Sequence, residues 1–181
     1  MRFPLLPEHQ WDDAQAKVAK AIRSGPRGEL RGPFVPLLYS PELASCIQQT
    51  GEYIRFHNSL PFHLIEIAVL MTARHYQCEN MWESHRALAL KANVRSDLIS
   101  SLSKQERPSN MTQEEEAVFL FCSNLLHDHR VSQSYFEQVE DLFGKRGAID
   151  LTGICGYYSM LSLVYNTAEI PLAEGKIAFQ A

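Results

Sequence analysis

The chain carries no Cys-x-x-Cys pair. Its four cysteines, at 46, 78, 122 and 155, stand more than thirty residues apart in sequence. A secreted disulfide framework needs closer, patterned spacing, so a reducing, cytoplasmic setting is expected. Positive charge is also scarce. Lys and Arg number 17 against 21 Asp and Glu, for a net charge of −4 and a pI near 6.0. A protein held on nucleic-acid phosphates needs a basic face, so no nucleic-acid partner is expected. Arg23, Arg27 and Arg31 are interleaved with glycine and proline and read as a loop. Long apolar runs are missing too. The nearest approach, Leu151 to Ala168, is interrupted by Gly153, Gly156, Ser159, Ser162 and Asn166. It reads as a helix buried in protein, and no membrane partner is expected. "MRFPLLPEHQWDD" has no apolar core of the signal-peptide kind.

Several catalytic and cofactor motifs are absent as well. "GELRG" and "GKRG" match neither a phosphate-binding loop nor a dinucleotide fingerprint, so no cofactor is expected. There is no H-E-x-x-H and no G-x-S-x-G. His127 and His129 are two apart and would face different ways on a helix. His63 and Glu66 could share a face, but nothing completes a ligand set, so no metal is expected.

What is present is helical spacing along nearly the whole chain. Trp11, Ala14, Val18 and Ile22 recur at intervals of three and four. Residues 25–36 read as a loop, and Ser40-Pro41 as the start of a helix running to about His57. Leu60-Pro61 opens another through "HLIEIAVLMTARHY". A further helix carries "NMWESHRALALKA", and Ser96-Asp97 starts a short one. Thr112 and Glu115 form a capping box. "SQSYFEQVEDLFG" is closed by Gly144, and a last helix runs from Asp150 to Glu169, before Pro171. No segment alternates with period two. The expectation is one all-α domain of about seven or eight helices, as the 181-residue length also suggests.

Two places could carry chemistry. Glu66 sits inside "LIEIAVLM", otherwise apolar. A carboxylate there is either buried and paired, which shifts its proton affinity, or lies on an exposed stripe of the helix. The second place is "CENMWESH", residues 78–85. At about 100° per residue, Cys78 and His85 share a helix face, with Met81 between them and Trp82 beside it. Glu79 and Glu83 point elsewhere and read as solvated. Cys78 would stand at the helix start, where the dipole favours a thiolate, and His85 could act as base or thiolate partner. A buried inert cysteine and a core histidine are the alternative.

Taken in order, "RGPF" (31–34), "SPELA" (40–44), "GEYIRFHNSLP" (51–61), "LIEIAVLMTARHY" (64–76), W-x-x-H (82–85) and N-x-x-E-I-P (166–171) resemble the carboxymuconolactone decarboxylase superfamily, which includes the alkylhydroperoxidase D group. The resemblance covers about residues 30–172. It implies an all-α, alkylhydroperoxidase D-like bundle that assembles as homo-oligomeric trimers or hexamers. It also implies a site at a helical interface, with the glutamate from one helix and the histidine from the next.

The redox branch of that superfamily carries Glu, then C-x-x-C-x-x-x-H. Here Glu66, Cys78 and His85 match, but Met81 replaces the second cysteine. The decarboxylase-like branch has Glu-aromatic-x-x-His; Trp82 and His85 match, and Met81 again stands where the functional group would be. Without a thiol at 81 the dithiol peroxidase cycle is closed. One reading is then an acid–base, lyase-type enzyme on a small cyclic or enol carboxylate. His85 would move the proton and Glu66 would orient it, while Phe34, Met81, Trp82 and Asn166 line the pocket and Arg74 meets the carboxylate. A second is a peroxiredoxin-like antioxidant cycling Cys78 through a sulfenic acid, reduced by an outside thiol. A third is a non-catalytic oligomeric paralogue.

Overall fold

Every regular element in the computed structural model of the chain is helical among the residues it describes, 1–172 and 179. Tertiary contacts group the chain into two compact units. Among the described residues, one comprises residues 1–58 and 163–171, the other residues 59–162, 172 and 179.

In the first unit, α1 (Asp13–Ser24) starts at a capping box. The Asp12 carboxylate accepts from the Gln15 N–H, and the Gln15 side chain accepts in return from the Asp12 N–H. Val18, Ala19 and Ile22 form its buried stripe, against α3 (Pro41–Phe56). Pro41 occupies the first turn of α3 as expected, although the Ser40 hydroxyl makes no capping bond. The stretch read as a loop holds a short helix, α2 (Phe34–Leu37). Its proline lies in the first turn, where no backbone N–H is needed, and wholly buried Phe34 anchors it under the Arg27 guanidinium, 4.3 Å away.

The second unit is built around α4 (Phe62–His75), whose residues from Leu64 to Ala73 are all buried. A helix apolar on every side belongs in a core. Here α5 (Glu79–Lys91), α6 (Ser96–Ser103) and α7 (Gln113–Asp128) pack against it. α7 opens at the expected capping box, Thr112 with Glu115. The final helical run, α8 (Gln133–Ala168), bends at Gly144, whose φ of 69° and ψ of 176° break the helical path. Asp150 on α8 accepts from both the N–H and the hydroxyl of Ser59, at 3.1 and 2.6 Å, and so ties down the approach to α4.

Tight turns set the order of α4, α5 and α6. Gln77, Asn93 and Gln105 take left-handed φ angles of 51°, 65° and 59°. After each, a chain N–H reaches back five residues: Cys78 to Ala73 at 2.8 Å, Val94 to Ala89 at 2.9 Å and Glu106 to Ser101 at 2.9 Å. This is the Schellman closure, usually built on glycine. Cys78 therefore serves twice: its N–H closes α4, and its carbonyl accepts the first bond of α5, from Trp82 at 3.0 Å.

Gly153 and Gly156 differ from expectation. Both are exposed, and a Cβ built on either would meet nothing within 4 Å. The helix from 151 is therefore not buried on all sides. Among the described residues no helix is long and apolar enough to cross a membrane.

Candidate active site

Glu66 is buried, 1% exposed, which removes the exposed-stripe alternative. Its Oε2 lies 2.7 Å from His85 Nδ1. An ionised carboxylate only accepts, so with Glu66 ionised the imidazole keeps its proton on Nδ1. Nε2 makes no hydrogen bond among the described residues. That pairing holds an imidazole in one orientation with its second nitrogen available for proton transfer. The His85 side chain is 12% exposed, so the pair sits at the edge of the core rather than sealed within it.

α8 supplies the floor. Tyr158 meets the His85 ring edge to face, with centroids 4.9 Å apart. One turn on, the Ser162 hydroxyl donates to the Met81 sulfur at 3.5 Å. Neither residue was expected in the site. Ser162 reads in the sequence as one more interruption of an apolar run; its full burial beside two sulfurs is visible only once α8 is placed against α5.

Cys78 overturns the thiolate expectation. It stands at the amino end of α5 as foreseen, but it is buried, and burial pushes its thiol pKa up. Hydrogen bonds from the Met81 backbone and the Ser162 side chain pull the other way without reversing it, and the Glu79 charge adds to the rise. Desolvation of the anion outweighs the helix dipole here.

Trp82 and Arg86 line a cavity of about 320 Å³, with Glu83, Ser96, Ser100 and Phe179 among its other walls. On the helical wheel His85 lies on the adjoining flank of α5. Glu83 is not a free solvated charge: its carboxylate grips the Arg86 guanidinium at 3.0 and 3.2 Å.

The remaining pocket expectations fare differently. Arg74 lies two turns along α4 from Glu66, about 12 Å at 1.5 Å per residue. Its Nε donates to the Ser103 carbonyl at 2.7 Å and its guanidinium lies over Phe179, so it does not clamp a ligand beside Glu66. Phe34 and Asn166 belong to the first unit, and Phe34 is wholly buried under the Arg27 guanidinium. Among the described residues no group of three or more His, Cys, Asp or Glu could hold a metal ion. No family model and no curated protein matches the chain.

Proposed function

We propose that the chain is an acid–base enzyme of the carboxymuconolactone decarboxylase-like kind, acting on a small cyclic or enol carboxylate. The observation that carries this reading is the 2.7 Å pairing of a buried Glu66 with His85, whose second ring nitrogen is unengaged among the described residues. His85 Nε2 takes a proton from carbon next to a carbonyl and returns it elsewhere on the substrate. Glu66 holds the ring and balances the imidazolium that forms in between. The cavity beside Trp82 accepts the body of the substrate.

The chain acts as a homo-oligomer in this proposal. Ile149, Thr152, Gly153 and Gly156 present an exposed face of α8, with Ile149 71% exposed. Small residues at that spacing allow another helix to approach closely. The thiol-peroxidase reading is the weaker one, because Cys78 is buried and held toward the unreactive thiol.

The test is solvent deuterium exchange into a panel of small lactones and keto acids. Wild type incorporates deuterium into at least one. His85→Gln lowers the rate by about 100-fold or more, the usual scale of a lost general base. Glu66→Gln, which keeps a hydrogen bond but not the charge, lowers it by a smaller factor. Exchange that survives His85→Gln unchanged overturns the assignment.

A further inference from the structure

Two sulfurs meet elsewhere in the second unit. Cys122 on α7 and Cys155 on α8, 33 residues apart in sequence, have Sγ atoms 3.6 Å apart, with the Cys155 thiol donating to Cys122. Both are buried free thiols, 0% and 2% exposed. A disulfide bond is about 2.05 Å long. Closing the pair therefore takes roughly 1.5 Å of sulfur movement (3.6 less 2.05), divided between two side chains on helices already in contact.

We propose that Cys122 and Cys155 are a site of inter-helix disulfide formation, closed by hydrogen peroxide or an organic peroxide. One sulfur, as its thiolate, attacks the peroxide; the O–O bond breaks, leaving a sulfenic acid and releasing water or the alcohol. The second sulfur displaces the sulfenic oxygen, which leaves as water, and the S–S bond forms. The two sulfurs give up two electrons, the peroxide takes them, and both thiol protons end in the released products. Hydrogen peroxide is little larger than water and reaches the pair during local opening of the helices. The neighbouring sulfur, and then burial, hold Cys122 as a thiol, so the reaction is slower than oxidation of exposed Cys46.

The location gives the bond a consequence. Cys155, Tyr158 and Ser162 follow one another at intervals of three and four, on one face of α8. Tyr158 backs His85 and Ser162 backs Met81. A bond at Cys155 pins to α7 the face of α8 that supports the Glu66–His85 pair. This holds whether or not that pair performs the proposed proton transfer.

The experiment uses the full chain with Cys46→Ser, which removes the exposed thiol and disulfides between copies through it. The folded protein is treated with hydrogen peroxide, quenched with an alkylating reagent in denaturant, and digested without reduction for mass spectrometry. The expected product is a linked peptide pair containing Cys122 and Cys155, lighter by two hydrogens than the free thiols. Dithiothreitol reverses it, and the linked protein unfolds at higher urea than the reduced one. Three results overturn the proposal: both cysteines fully alkylated after exhaustive treatment, either one linked to Cys78 instead, or a link that forms only in the urea-unfolded chain.

Discussion

α4 meets a neighbouring helix's histidine at two places, and the two meetings are unlike. In its buried middle, Glu66 receives His85 of α5 at 2.7 Å, with Tyr158 closing over the ring. At its carboxyl end, His75 meets His127 of α7 edge to face, centroids 5.1 Å apart, beside an exposed His129. The first pairing joins a hydrogen-bond donor to an acceptor inside the core, where low dielectric strengthens the bond. The second joins like groups that repel once protonated, and water screens them. The residue type is shared; distance from the core decides whether the imidazole is a positioned reagent or a surface group.

Deleting each histidine separates the two ends of α4 most visibly. His85→Leu leaves the buried Glu66 carboxyl without its hydrogen-bond partner and costs about 1–3 kcal/mol, the range for a buried polar group left unsatisfied. His127→Leu at the open end changes stability by about 0.5 kcal/mol or less. Urea unfolding of the two variants checks both values. The double variant Glu66→Leu/His85→Leu recovers most of the loss, because a packed apolar pair replaces buried polar groups at little net cost. Such a recovery separates the pair's value for chemistry from its value for folding.

Much of α4's setting is legible without coordinates. An apolar run with one carboxylate reads as a helix whose acid is either buried and paired or on an exposed stripe, and the 1% exposure of Glu66 decides for the first. Thr112 with Glu115 marks a helix start by local chemistry alone. The turns after α4 and α6 are not legible in the same way. Their left-handed positions hold Gln77 and Gln105, so the glycine signal for a Schellman stop is missing, whereas Asn93 after α5 is a residue type that tolerates that conformation and marks the stop. Gly153 and Gly156, conversely, advertise close packing but face outward. Ser162, Tyr158 and the Cys122–Cys155 contact depend on how α8 lies against α5 and α7. No spacing within a single segment encodes that.

A second prediction concerns the protons of the sealed interior. The thiols of Cys122 and Cys78 are held above the ordinary value near 9, Cys122 well above it. The folded chain therefore keeps protons that the unfolded chain loses. These two thiols leave stability unchanged below about pH 9 and lower it as pH climbs from there toward the folded-state values, by at most about 1.4 kcal/mol per pH unit for each group. Cys122→Val flattens that decline in urea midpoints measured from pH 8 to 10.5. A decline equally steep in the variant means that other groups drive it.

The open end offers the smallest effect and the sharpest contrast in sign. Burial, then the charges of His127 and His129, lower the pKa of His75 from its usual 6.5. Arg74 and Glu106 line the same cleft, so charge of both signs borders the ring. As pH falls through 6.5 the unfolded chain takes up its proton first, and stability drops between that value and the lower folded one. Solvent screening keeps the loss small, and added salt weakens its charge component. A proton NMR titration of the His75 ring reads it directly. His127→Ala shifts the midpoint partly back toward 6.5, leaving the burial component in place. If the midpoint does not move, the two rings share a surface without sharing charge, and position in the core alone separates the two ends of α4.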